Sequence, residues 1–275
     1  MSWRFRARGR RCGSTSGCRV TAELAYLSVP GWLELTGLVH RFYGRPGGTS
    51  AGAFAGLNLS ESVGDDPAAV EENRRRVAAV LPGGSRLVWM RQEHGQRVLR
   101  VDEPVADAGA ADGMVTAMPG AVLTILTADC VPILLVARRR RVAAVVHAGW
   151  RGTLAGIVTR AVELMQQEFG AERAELEAAL GPAIGGCCYE VEREIGEQFV
   201  ARWGALPEDG WRREGARGKF DLRAANRRLL EAAGLAAQGI HTVGPCTRCA
   251  GDRYFSHRGS GGRTGRQLSC IGWVA

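Results

Sequence analysis

Apolar and polar positions change their period several times along the chain. Short apolar or alternating runs predict strands at RLVWMR (86–91), RVLRV (97–101), AVLTILT (121–127), PILLVA (132–137) and RVAAVVH (141–147). The final run, QLSCIGWVA, alternates in the same way. Helical spacing falls elsewhere. DDPAAVEENRRRVAAVLPGG carries Asp65 or Asp66 as cap, Pro67 in the first turn and Pro82-Gly83-Gly84 as stop. GTLAGIVTRAVELMQQEF reads as one helix, with Ile157, Ala161, Leu164, Met165 and Phe169 on one face and Gly170 ending it. EREIGEQFVARW (192–203) and DLRAANRRLLEAA (221–233) complete the set, the latter between Asp221 and Gly234. Residues 38–60 read as a short strand and a long glycine-rich loop. Many strands with about four good helices predict an α/β or α+β fold. No linker interrupts the pattern, so one domain over 21–275 is expected, with residues 1–20 apart from it.

Length allows one large domain or two small ones. Of 275 residues, 45% are hydrophobic, enough for a sizeable core. No apolar run is long enough to cross a bilayer. The net charge of +8 invites a nucleic-acid reading. Six arginines and no acid lie within residues 1–20, however, which leaves only +2 for the rest. A basic RNA-binding module would therefore depend on that first segment. The segment lacks the apolar stretch of a signal peptide, and it is expected to be a disordered tail or the result of a start codon placed too early. A cytosolic location follows, where the eight cysteines stay reduced.

Three strand-end residues carry candidate chemistry. His94 lies in QEHG between two predicted strands, Cys130 follows a strand in TADC, and His147 ends a strand in HAGWRG. Two imidazoles and a thiol form a legitimate zinc set with a fourth position open. They are equally readable as a Cys–His nucleophile pair without metal. Asp129, beside the thiol, is placed to orient a ligand or move a proton. HAGWRG reads either as an anion site using Arg151 or as a tight turn with Trp150 in the core. Arg45 in GRPGGTS is a second phosphate candidate or a solvated arginine. CTRC (246–249) has metal-knuckle spacing but no partner CxxC; Cys187 and Cys188 could complete a site, but adjacent cysteines rarely both bind one ion. Buried or surface thiols are expected there. RRRR at 138–141 reads as a solvated hairpin turn.

The segments RPGGTSAGAFAGLNLS, VGDDPAAVEENR, QEHG, ADGMVT, LTADCVPILL, HAGWRGTLAGIV, LGPAIGGCCYEV, DLRAANRRLL, CTRCAGDRYFSHR and TGRQLSCI follow one another over residues 38–272. In this order they resemble the polyphenol oxidase/laccase-domain family, described as purine nucleoside phosphorylases and in some bacteria as a peptidoglycan editing factor. The resemblance implies an α+β fold in which mixed β-sheets pack as a sandwich flanked by helices. It implies His94, Cys130 and His147 as catalytic metal ligands for zinc, or copper in older descriptions. It implies phosphorolysis of adenosine, inosine, guanosine and methylthioadenosine, plus adenosine deamination. Arg45, Asn58, Asp129, Arg151 and Arg258 fall in motif positions expected to line the pocket. Glu93 stands where the family commonly has valine and is expected to point away. A monomer is expected, with purine nucleosides and phosphate as its partners. Two enzymatic rivals remain: a peptidoglycan-precursor editing hydrolase with Cys130 as nucleophile, and a multicopper oxidase, which five histidines are too few to build.

Overall fold

A computed structural model of the chain describes residues 24–207 and 210–274. The tail expected at residues 1–20 lies outside the described residues. In chain order the elements are β1 (Tyr26–Leu27), β2 (Leu38–Tyr43), α1 (Pro67–Ala79), β3 (Arg86–Arg91), β4 (Val98–Arg100), β5 (Asp107–Ala110), β6 (Gly113–Thr116) and β7 (Ala121–Thr127). Then come β8 (Val131–Ala137), β9 (Val142–Ala148), α2 (Trp150–Ala155), α3 (Ile157–Phe169), β10 (Leu176–Leu180), β11 (Glu190–Glu192) and α4 (Arg193–Trp203). The series ends with β12 (Trp211–Glu214), β13 (Arg217–Phe220), α5 (Leu222–Ala232), β14 (Ile240–Thr242) and β15 (Gln267–Trp273).

Two six-stranded sheets form a sandwich. The first runs β1-β2-β15-β7-β3-β5 and the second β14-β10-β8-β9-β6-β4; a small sheet, β11-β13-β12, stands apart. Both large sheets mix parallel and antiparallel pairs. Alternation sorts side chains between layers. Phe42, Leu123, Ile125 and Ile271 of the first sheet meet Met114, Leu134, Val136 and Val145 of the second. The outward residues of β8 and β9, including Ile133, Leu135, Ala144 and Val146, pack beneath α3 and α5 through Ile157, Ala161, Met165, Leu229 and Leu230. The other outer face holds Val39, Val122, Leu268 and Cys270 against Val77 of α1. Strands buried on both faces explain why β8 and β9 read as unbroken apolar runs.

The helix expected across 152–169 is broken. Gly156, at φ 82°, separates α2 from α3. The Trp203 ring lies 2.8 Å from where a β-carbon on Gly156 would stand, and Trp203 Nε1 donates to the Leu154 carbonyl at 2.9 Å. The indole thus fills the notch that the break opens. Asp66 and Asp221 cap α1 and α5 with their side chains. Residues 138–141 are the exposed turn joining β8 to β9. No helix among the described residues is long and apolar enough to cross a membrane.

Candidate active site

The β8–β9 hairpin sets two of the three residues. Val131 pairs with Ala148 and Pro132 with His147. One further step in that register places Cys130 opposite Gly149. Cys130 and His147 share the alternation of Leu134 and Val145, so both face the space between the sheets at its open end. Gly149 is what lets them approach. A β-carbon there would lie 3.1 Å from Cys130 Sγ and 3.3 Å from His94 Cδ2.

His94 arrives from the turn after β3. Its φ of 58° is left-handed, uncommon for a side-chain-bearing residue. The Asp112 carboxylate, just before β6, holds that turn. It accepts backbone N–H bonds from Glu93, His94 and Gly95 at 3.2, 2.9 and 2.6 Å. Gln92 fastens the turn to the first sheet by bonding both backbone groups of Leu126 at 2.8 Å. Glu93 points away, reaching Arg91 at 3.5 Å. The same Asp112 lies 2.7 Å from His147 Nδ1. A carboxylate can only accept, so Nδ1 donates and Nε2 is the nitrogen left to face the site.

Donor atoms of His94, Cys130 and His147 all lie within 4.8 Å of one another, and the two rings meet edge to face at 4.7 Å. Ligands on a zinc tetrahedron sit roughly 3.3–3.8 Å apart. Two imidazoles and a thiol at this spacing fit such an ion, with one position open to solvent or substrate. Charge is already separated here. Burial opposes the Cys130 thiolate, but the His147 charge and hydrogen bonds from His147 and His94 outweigh it and bring the thiol down to about 6. Burial likewise opposes the imidazolium, yet the thiolate and Asp112 raise His147 to about 9. Asp112 is held below the usual carboxylate range, against its burial, by His147 and the backbone bonds. At neutral pH the metal-free centre is a thiolate–imidazolium pair backed by a carboxylate.

The remaining expected residues divide into two groups. Asp129, at φ 92°, accepts the Thr247 hydroxyl on Oδ1 at 2.6 Å and the Arg258 N–H on Oδ2 at 2.7 Å. Its carbonyl accepts Ile184 N–H at 2.9 Å. Both carboxylate oxygens thus engage the loops framing Cys130. Arg258 also bonds the Glu190 carbonyl at 2.9 Å and lies over Tyr189; Arg151 is exposed and stacks on Trp150. Tyr189 is pushed up to about 12 by burial and by the charges of Cys130 and Asp129, with Arg258 and Arg151 acting oppositely. Of these groups Arg258 touches the Tyr189 ring, its guanidinium 5.3 Å from the centroid.

Arg45 and Asn58 instead brace the glycine-rich loop. Arg45 donates to the carbonyls of Ala55 and Gly251, and Asn58, wholly buried, bonds Ser60, Asp65 and the Arg266 N–H. Asn58 has all its donor and acceptor positions filled within the protein. Sequence reasoning missed Asp112, Tyr189 and Arg266, the last partly buried close to Cys130 and Asp129. The signal for Asp112 was a carboxylate directly before a strand in ADGMVT. The cysteines are the buried and surface thiols expected, Cys246 buried and Cys187 and Cys249 exposed, and the sulfur atoms of Cys187, Cys188, Cys246 and Cys249 lie within 4.8 Å of one another. Folding brings together two segments that neither spacing nor periodicity connects.

The model of the family described as multi-copper polyphenol oxidoreductase laccase matches residues 39–274. The chain belongs to this family. It is 43% identical over 241 residues to a Mycobacterium tuberculosis protein named purine nucleoside phosphorylase, covering 84% of this chain and 89% of that one. A protein named adenosine deaminase RL5, from an unknown prokaryotic organism, is 40% identical over 231 residues, covering 80% and 87%. The crystal structure of YlmD from Geobacillus stearothermophilus superposes with a TM-score of 0.84 at 33% identity, covering 94% of this chain and 98% of that one. YfiH of Bacillus licheniformis also gives 0.84, at 30% identity, covering 91% and 96%. Despite the family's description, only two of the five histidines, His94 and His147, join a group of metal-ligating side chains among the described residues.

Proposed function

We propose that this laccase-family chain is a zinc-dependent purine nucleoside phosphorylase that also deaminates adenosine. The observation that carries the reading is the convergence of the His94, Cys130 and His147 donor atoms, with His147 oriented by Asp112. Relatives named for both activities support it. A zinc ion held by these three residues supplies Lewis-acid charge at the open end of the sandwich. Arg258, over the Tyr189 ring, and Arg151, over the Trp150 ring, would hold phosphate. An oxygen of hydrogen phosphate attacks the anomeric carbon, the glycosidic bond breaks with its electrons passing to the purine, and the departing base takes the proton that hydrogen phosphate gives up. Tyr189, with its proton retained up to about 12, donates a hydrogen bond to the substrate. Asp129 acts by positioning Cys130 and the Arg258 backbone rather than by proton transfer. For deamination, water attacks C6 of the adenine ring instead, the C6–N bond breaks, and the amino group leaves as ammonia with a proton from that water. Adenosine, inosine, guanosine and methylthioadenosine are the proposed substrates.

Metal-analysed protein is tested on each nucleoside with phosphate, following free purine and ribose 1-phosphate by chromatography. Turnover is expected in the wild type and a loss of at least about 100-fold in Cys130→Ala and His147→Ala. Full phosphorolysis by Cys130→Ala in protein lacking metal overturns the reading.

One observation favours a second reading. Cys130, His147 and Asp112 are linked as nucleophile, base and orienting carboxylate, the arrangement of a cysteine hydrolase. Acting on serine-containing peptidoglycan precursors, the Cys130 thiolate attacks the amide carbon acylating serine, the C–N bond breaks, His147 gives its proton to the departing serine amine, and an acyl-thioester remains on Cys130. Intact mass after incubation with that precursor reveals the adduct; its absence alongside phosphorolysis of inosine excludes the hydrolase.

A further inference from the structure

Away from the proposed catalytic centre lies a second cluster that its chemistry does not use. Cys187 and Cys188 come from the turn after β10, and Cys246 and Cys249 from the segment after β14. All four sulfur atoms fall within 4.8 Å of one another, with Cys249 Sγ 3.8 Å from Cys187 Sγ and 3.4 Å from Cys188 Sγ. Zinc–sulfur bonds of about 2.3 Å put the edge of a four-sulfur tetrahedron near 3.8 Å. A disulfide requires about 2.05 Å and joins only two of the four.

We propose that Cys187, Cys188, Cys246 and Cys249 bind one zinc ion as a structural clamp, distinct from the His94–Cys130–His147 centre. Adjacent cysteines seldom share an ion because consecutive side chains usually diverge. Here the Gly185 carbonyl accepts N–H bonds from both Cys188 and Tyr189 at 2.9 Å, and this tight turn aims both thiols at Cys249. Gly185 N–H in turn donates to Cys246 Sγ at 3.3 Å, the support a metal-bound thiolate receives. Gly185 lies against the cluster: a β-carbon there would touch Cys187 Sγ and Cys246 Cβ, each at 3.4 Å. Binding releases the four thiol protons and leaves a net charge of −2. Arg223, whose guanidinium comes within 3.5 Å of that same point, offsets part of it. Cys187 and Cys249 are exposed, giving the ion a route in. Thiolates are soft ligands, and four of them suit zinc.

The clamp sits close behind the catalytic thiol. The segment holding Cys187 and Cys188 also supplies Ile184 N–H to the Asp129 carbonyl, and Thr247, next to Cys246, supplies its hydroxyl to the Asp129 carboxylate. One ion thereby ties together both loops that fix the residue before Cys130. The inference does not rest on the proposed function.

Zinc-saturated, desalted full-length protein is analysed by inductively coupled plasma mass spectrometry. About two ions per chain are expected in the wild type and about one in each of Cys188→Ser, Cys249→Ser and Cys130→Ala. Should the catalytic centre hold no metal, wild type and Cys130→Ala both carry about one ion and Cys249→Ser none, which fails the proposed function but supports the clamp. Equal zinc in wild type and Cys249→Ser, or none in Cys130→Ala, overturns it. A measurement on the wild type covers the case of a misfolded variant. Iodoacetamide mapping should find all four cysteines protected with zinc and alkylated after chelation. Ready alkylation with zinc bound, or a disulfide among them in zinc-loaded protein, also overturns the proposal.

Discussion

Among single residues, Asp112 shapes the centre most, although it holds no metal itself. One carboxylate takes three backbone N–H bonds of the His94 turn and the His147 ring proton. In Asp112→Asn, one acceptor oxygen becomes an NH₂ group facing donors. The ring and the turn both lose their anchor, and zinc affinity at the three-ligand centre should fall roughly 10- to 100-fold in a chelator competition. Unchanged affinity refutes that role. Cys130 offers a pH test. Its thiol is lowered from an ordinary 9.0 to about 6, so thiolate persists until the pH drops through that value. In metal-stripped protein, alkylation of the Cys130 peptide should reach half its maximal rate near pH 6; a midpoint near 9 contradicts the ion pair. Sequence alone marked His94, Cys130 and His147 because polar residues at strand ends are conspicuous. It could not pair them, since their spacing carries no distance information. Asp112 escaped notice because an acid before a short strand resembles a loop residue.

At the level of elements, legibility followed length and patterning. β3 and β7 occupy the residues their apolar pattern marks, and β8 and β9 differ by one residue. The short strands β5, β11, β12, β13 and β14 offer only three or four residues, many polar or glycine, and show no usable period. The helix break at Gly156 was hidden for another reason: glycine is tolerated in helices, and only Trp203, far along the chain, reveals why the chain turns there. Gly156→Ala imposes a β-carbon on a left-handed backbone and against that indole. A loss of about 1–3 kcal/mol is expected from urea denaturation. A value within about 0.5 kcal/mol of wild type argues that α2 and α3 can merge without cost.

For the whole molecule, the sandwich supplies what the site requires: two stiff layers whose open end holds ligands from separate strands. Leu134, fully buried between the sheets, tests that coupling. Leu134→Ala should cost about 2–5 kcal/mol by the cavity it leaves, measured by urea midpoint. Global order of strands was the least legible property, because sheet pairing joins segments far apart in sequence. β2 and β15 illustrate this: Ser269 pairs with Phe42 and Trp273 with Leu38. Since β15 lies between β2 and β7, a ribosome that has not yet reached residue 267 has produced two neighbours with nothing to separate them. Their inward edges stay open until β15 emerges, ready to zip onto any stray extended peptide. Assembly of that layer is thus postponed until residues 267–273 have been made, which makes nascent-chain protection a standing requirement of this architecture.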